Sequence, residues 1–282
     1  MNRIIIVTIA IILAIHATAQ NAIYEKEDSI FIERIIRDMS ARNCRNKGDR
    51  LLDIAERFLG CNYVSGTLEN GEKEPLYISC SKLDCTTFVE LVLAIGVTMD
   101  RKENTFADVC RNLEKIRYRN GVRNGYASRL HYISWWISDS IKQEYIEEVT
   151  HCNISRKHVL NLSFMSKNPQ NYEMLKEAPE LRKEIETYEI PFRNIKTDYI
   201  PKEFLNRSKD ELPIENGDII ALTTAIEGLD VTHVGFAFWQ DGKLHLLHAS
   251  SGKGKVIRDS DELYIYQQKR KLQTGIRVFR VK

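Results

Sequence analysis

The chain has 282 residues with 41 Lys+Arg against 39 Asp+Glu, a formal net charge of +2, and it is 43% hydrophobic and 28% charged. That balance excludes a disordered chain, and only 14 Gly and 6 Pro exclude a collagen-like or low-complexity one. The basic excess that nucleic-acid phosphates demand is missing, so no nucleic-acid partner is expected, while the length suits one large domain or two small ones with a sizeable core.

Residues 1–19 read as a signal peptide. Met1-Asn2-Arg3 is a positive start, Ile4 to Ile15 is apolar apart from Thr8, and Ala17-Thr18-Ala19 is a small-residue cleavage site before Gln20. The apolar run is shorter than the roughly 20 residues of a spanning helix. No later stretch is long and apolar enough to insert stably, so an exported, periplasmic or secreted mature chain of residues 20–282 is expected.

Ile30, Phe31, Ile35, Ile36 and Met39 recur with helical spacing, and so do Leu51, Leu52, Ile54, Ala55, Phe58 and Leu59. Residues 61–82 lapse into Gly, Ser, Asn and Pro and read as a long loop. Phe88 to Ile95 predicts a helix apolar over most of its surface, as a buried central helix would be. Further helices are expected over Phe106 to Ile116 and Tyr132 to Ile141. The period then changes. Val159 to Phe164 reads as a strand, Pro179 to Tyr188 as a charged surface helix, and five strands follow: 218–222, 233–240, 243–249, 255–257 and 276–281. Helices first and strands after favour α+β over an alternating order. With no linker or repeat, residues 20–282 read as a single domain elaborated around 120–210, expected to be a monomer.

Six cysteines survive cleavage, namely Cys44, Cys61, Cys80, Cys85, Cys110 and Cys152, and their spacing leaves any pairing open. Cys110 falls on an apolar helix face and reads as a small buried hydrophobe. Cys85 opens the most apolar helix in Asp84-Cys85-Thr86-Thr87-Phe88. Unpaired amides and the positive dipole end stabilise a thiolate there, so its pKa is expected to fall. The competing reading is a buried structural cysteine, and a nearby base would decide between them.

Asp241-Gly242 between apolar runs signals a two-residue hairpin. If Gln240 opposes Lys243, opposed indices sum to 483, His248 faces Gly235, and His233 becomes a diagonal neighbour of His248 on one face. His245 falls on the other face with Phe238. A thiol at a helix start and two imidazoles on a sheet match the needs of a cysteine hydrolase: a nucleophile, a base and a third group that orients the base. One Cys and two His are also zinc ligands, but no fourth ligand has local spacing, so no metal and no cofactor is expected.

Leu59-Gly60-Cys61-Asn62-Tyr63-Val64-Ser65-Gly66-Thr67-Leu68-Glu69, Asp84-Cys85-Thr86-Thr87-Phe88-Val89-Glu90, Thr232-His233-Val234-Gly235-Phe236 and His248-Ala249-Ser250 resemble the NlpC/P60 cell-wall cysteine amidases. Arg129-Leu130-His131-Tyr132 and Gly228-Leu229-Asp230-Val231-Thr232-His233 narrow the resemblance to the DUF1460 branch. The resemblance implies a papain-like α+β core. It also implies an amidase that splits N-acetylmuramic acid, including the 1,6-anhydro form, from L-Ala in peptidoglycan fragments. By motif position Cys85 would be nucleophile, His233 base and His248 the orienting member, with Tyr63 and Asp84 lining the cleft.

Arg129 could bind a substrate carboxylate or join a surface ion pair, and Tyr132, with Trp135 and Trp136, could be a sugar platform or core. Two departures bear on substrate preference: Cys61-Asn62 stands where a small residue and Pro are expected, and Trp135 where an acidic residue is commoner. The alternatives are a γ-D-Glu–diamino acid endopeptidase with the same triad, and an inactive muropeptide-binding module.

Overall fold

The computed structural model describes residues 22–42, 44–69 and 74–282, so the expected signal peptide lies outside the described residues. The helical periodicities become α1 (Lys26–Ser40), α2 (Lys47–Glu56), α3 (Cys85–Asp100), α4 (Phe106–Arg117) and α5 (Ile133–Lys142). Asn46, Asp84 and Thr105 cap α2, α3 and α4, each side chain accepting from the amide three residues on at 2.8, 2.8 and 3.1 Å. Each cap satisfies one of the amides that a helix start leaves unpaired. None of these helices, nor any other among the described residues, is long and apolar enough to cross a membrane.

Every residue of α3 from Thr87 to Thr98 is buried. Helices α1, α2 and α4 surround it, and the sheet lies beneath. Phe88 is the pin: its ring meets Phe58 of the α2 end at 6.0 Å and Phe236 of the sheet at 5.6 Å, both edge to face.

The strands are β1 (Ala22–Ile23), β2 (Asn62–Tyr63), β3 (Leu76–Tyr77), β4 (Lys82–Leu83), β5 (Ile146–Glu148), β6 (Arg156–Asn161), β7 (Arg193–Pro201), β8 (Ile219–Thr224), β9 (Val231–Gln240), β10 (Lys243–Ser250), β11 (Lys255–Arg258) and β12 (Gln273–Val281). One sheet runs β4-β2-β11-β10-β9-β8-β12-β7-β6, with β5 also on β12, while β1 and β3 pair apart from it. Its central strands are buried on both faces. Ile219, Ala221, Phe236 and Leu247 meet the helices, while Ile220, Leu222, Ala237 and Leu246 enter a second cluster that α7 (Leu263–Gln268) closes with Leu263. Between α5 and α7 lies α6 (Pro179–Glu189), which the charged stretch predicted. The long strands of the main sheet pair antiparallel and most of the long helices precede them, so the class is α+β, as expected.

The hairpin carries the register read from the turn. Asp241 and Gly242 both have positive φ, 50° and 73°, as a tight turn of this kind requires. Lys243 pairs with Gln240 and Leu247 with Phe236, every pair summing to 483. Gly235 is needed by that register, because a Cβ there would lie 2.8 Å from the Cβ of His248 and 2.8 Å from the Leu247 carbonyl oxygen. Gly235→Ala is therefore expected to cost about 1–3 kcal/mol by overpacking and to displace His248. Urea unfolding reads the first effect, and an unchanged midpoint would contradict the packing described.

Candidate active site

Three adjacent strands set three side chains in a row. His248 of β10 faces residue 235 on β9 by the hairpin register and pairs with Ile257 on β11. Its diagonal neighbours on the same face are thus His233 on one side and Asp259, just past β11, on the other. Nε2 of His233 lies 2.5 Å from Nδ1 of His248, and Nε2 of His248 lies 3.1 Å from Oδ2 of Asp259. The backbone holds Asp259 in turn: its amide donates to the Leu246 carbonyl at 2.9 Å, and its Oδ1 accepts from the Asp261 amide at 3.0 Å. His245 sits on the opposite face, stacked on Phe238 at 5.2 Å, as the register predicts. Tyr266 of α7 covers the imidazole pair, edge-on to His248 at 5.6 Å and stacked with His233 at 6.5 Å.

Cys85 is brought to this row by α3. Asp84 and Thr87 form a reciprocal capping box, the Thr87 amide donating to Asp84 and the Asp84 amide to Thr87 Oγ1 at 2.9 Å. The thiol is hydrogen-bonded by the Val234 backbone, next to His233, and by the Thr86 side chain. Cys85, Thr86, His131, Asp230 and His233 line one cavity of about 150 Å3. Thr86 and His131 also line a second, of about 170 Å3, whose far walls are Gly66, Glu69, Asp84 and Arg129. The two chambers flank the residue beside the thiol. A larger cavity of about 810 Å3 lies between α1 and the 57–62 turn and contains none of the three central residues.

The loop motifs converge here. The Asp230 carboxylate accepts from the Ser134 amide at 2.6 Å and from its neighbour Val231 at 2.8 Å, so it ties the entry of β9 to the start of α5. On the same side His131 Nε2 lies 2.9 Å from the Tyr126 carbonyl oxygen, which only accepts, so Nε2 carries the proton.

The thiol does not behave as the helix-end argument predicts. Burial, and then the Asp84 carboxylate, push the Cys85 thiol up to about 11 against the lowering effect of its hydrogen bonds. Burial, followed by the facing His248 and Arg270, holds His233 down to about 3. At rest the two groups are a neutral thiol and a neutral imidazole lining the same cavity. Because the fold prefers neutral His233, this group's stability contribution falls as pH drops below the ordinary histidine value near 6.5 towards about 3. The corresponding activity prediction is a kcat/KM flat from about pH 5 to pH 9. An acid limb centred near the ordinary histidine value would contradict it.

Tyr63 ends β2 close to the site. Burial, then Cys85 and Asp84, push its hydroxyl up to about 12, so it remains a donor. Asp84 is both helix cap and chamber wall. Arg129 is buried rather than on the surface, paired with Glu69 at 2.9 Å and Glu74 at 3.1 Å. Tyr132 lines the thiol chamber, but its hydroxyl is engaged, donating to Glu189 at 2.7 Å and accepting from the Met165 amide at 2.7 Å. Trp135 and Trp136 are core. All six cysteines are free thiols, and Cys110 is fully buried.

Asp259 and Tyr266 escaped the sequence reading. For Asp259 the missing signal was the register of β10 with β11, because the Ser251-Gly252-Lys253-Gly254 connection does not announce its turn as Asp241-Gly242 does.

Comparison with known proteins places this geometry among relatives. A family model named AmiA-like, and described as N-acetylmuramoyl-L-alanine amidase-like, matches residues 53–276. A Bacteroides uniformis structure named as an N-acetylmuramoyl-L-alanine amidase is 39% identical, with a TM-score of 0.79 over 84% of this chain and 99% of that one. A Bacteroides fragilis structure given a provisional xylanase name is 44% identical, with a TM-score of 0.77 over 82% and 100%. A Legionella pneumophila protein matched to DUF1460 shares the fold at 21% identity, with a TM-score of 0.67 over 91% and 95%. None of the curated proteins matches the chain.

Proposed function

The chain belongs to the AmiA-like, N-acetylmuramoyl-L-alanine amidase-like family, and we propose that it hydrolyses the amide between N-acetylmuramic acid, including its 1,6-anhydro form, and L-Ala in peptidoglycan fragments. The observation that carries this reading is the row His233–His248 at 2.5 Å beside a thiol at a helix start. Cys85 is the nucleophile. His233 takes its proton as sulfur adds to the lactyl carbonyl, and the tetrahedral oxyanion finds the Cys85 amide and the Tyr63 hydroxyl. His233 then returns the proton to the departing L-Ala nitrogen, leaving a thioester. Water, deprotonated by the same imidazole, releases the sugar carboxylate and restores the thiol. His248 orients His233 throughout.

This reading takes residues 20–282 as one papain-like NlpC/P60 domain, exported after cleavage before Gln20 and acting as a monomer. It gives the substrate-binding roles to Tyr63, Asp84, Arg129 and Tyr132 around the two chambers. A glycosidase would instead need two carboxyl groups free to face the scissile bond. The chamber carboxylates are each engaged, Glu69 by Arg129 at 2.9 Å, Asp84 by the Thr87 amide at 2.8 Å, Glu90 by Arg117 at 2.7 Å and Asp230 by the Ser134 amide at 2.6 Å. The testing experiment is mass spectrometry of products from disaccharide-peptides with a free and an anhydro muramic end. An intact stem peptide and a free glycan are expected. Cleavage inside the peptide would replace this reading by the endopeptidase, and tight binding without turnover by the binding module.

A further inference from the structure

We propose that Asp259 is a positioning residue of this site, deciding through His248 which nitrogen of His233 carries the proton. The proposal rests on the thiol–imidazole reading above and adds a fourth member to it. A carboxylate only accepts, so the contact from His248 Nε2 to Asp259 Oδ2 at 3.1 Å puts the His248 proton on Nε2. In a neutral ring Nδ1 is then bare and can only accept. Its partner at 2.5 Å, His233 Nε2, must therefore be the donor, which leaves Nδ1 of His233 unprotonated. That nitrogen is the base the thiol needs, and its availability is set two hydrogen bonds away.

The geometry around Asp259 suits the task. The strand pairing that fixes its amide on Leu246 and the Asp261 amide on Oδ1 hold the carboxylate in one orientation. Its carbonyl oxygen also accepts from His245 Nδ1 at 3.1 Å. The titratable and charged groups around it are His245 and His248 on β10, Arg258 and Asp261 beside it in sequence, Tyr266 and Arg270 from α7 and its end, and Cys85 beyond His233. Although burial opposes it, the hydrogen bonds from His248 and the Asp261 amide, with the nearby Arg270 charge, hold the carboxyl below its usual range, so it stays an acceptor.

With the site occupied by Asn, the side chain offers either a weaker acceptor or an amide donor. The donor form reverses both rings and places the proton of His233 on Nδ1, against the thiol. Asp259→Asn is expected to lower kcat by roughly 10^2- to 10^4-fold with KM little changed, and Asp259→Glu to recover part of the loss. Alkylation of Cys85 by iodoacetamide between about pH 5 and pH 9 is the second arm and needs no assumption about the natural substrate. A slower reaction with a displaced pH profile in Asp259→Asn is expected.

Wild-type alkylation rates and profile in Asp259→Asn, or a kcat loss without any change in alkylation, would overturn the proposal. If the wild type fails on the muramoyl substrate while the alkylation difference stands, the substrate reading falls and the positioning role survives. Imidazole 15N spectra of the wild type need no variant at all. Protons on Nε2 of both His233 and His248 are expected, and a proton on Nδ1 of His248 would overturn the role of Asp259.

Discussion

Cys85→Ala is expected to lower kcat/KM on the muramoyl–L-Ala bond by on the order of 10^4- to 10^6-fold, the range seen when a covalent nucleophile is removed. The size follows from the architecture. His233 is held down to about 3 and the Cys85 thiol up to about 11, so neither group is a strong reagent alone at neutral pH. On the proposed mechanism the rate comes from moving one proton between the two groups of this shared cavity as the carbon–sulfur bond forms, and without the sulfur the base has nothing to activate in that position. The remaining five thiols do not substitute: Cys110 is buried in α4, Cys80 is buried against the α1 start, Cys61 and Cys44 line cavities that contain neither imidazole, and Cys152 packs against the second core cluster. Since the change removes a single sulfur atom that borders a cavity, the variant should unfold at nearly the wild-type midpoint. Retention of more than roughly a tenth of the activity would place the chemistry elsewhere.

The largest effect on stability is expected at Glu90. Its carboxylate meets Arg117 Nε at 2.7 Å with side chains only 3% and 2% exposed, and Arg117 Nη1 donates to the Tyr77 carbonyl at 2.6 Å. Burial pushes the Glu90 carboxyl up even against the attraction of Arg117. Removing one partner strands the other charge in a dry interior, so Glu90→Ala should cost about 3–5 kcal/mol in urea unfolding. The double change Glu90→Leu with Arg117→Met should be close to neutral, because it removes both desolvation costs together. A single variant as stable as wild type would mean that water reaches the pair. The pair also joins α3 to α4 and to β3, so its loss should loosen the start of the helix that presents Cys85.

Where the sequence was legible, a local rule and the tertiary structure agreed. The Asp241-Gly242 turn sets a register that places His233 and His248 together without any long-range information. The all-round apolar pattern of 88–95 marks the helix that the others enclose. Asp259 was out of reach because its position depends on a second register, set by a glycine-rich turn of ambiguous length. The thiol pKa departs from the helix-end expectation for a different reason. The helix end does favour a thiolate, but desolvation and the adjacent Asp84 act over shorter distances and outweigh it. Arg129 reads on paper as a clamp for a substrate carboxylate or a partner in a surface ion pair, and only the fold brings Glu69 and Glu74, 60 and 55 positions away, against it and buries it.

The most direct measurement is the mass of the acyl group on Cys85, taken from enzyme quenched during turnover of an anhydro-disaccharide-peptide and digested for the peptide that contains it. A thioester carrying the sugar and its lactyl carbonyl is the predicted result, since it identifies the nucleophile and the bond together. A disaccharide–L-Ala–γ-D-Glu acyl group on Cys85, heavier by the two amino acids, would contradict the proposed bond, and product formation with no acyl group on Cys85 would contradict the mechanism.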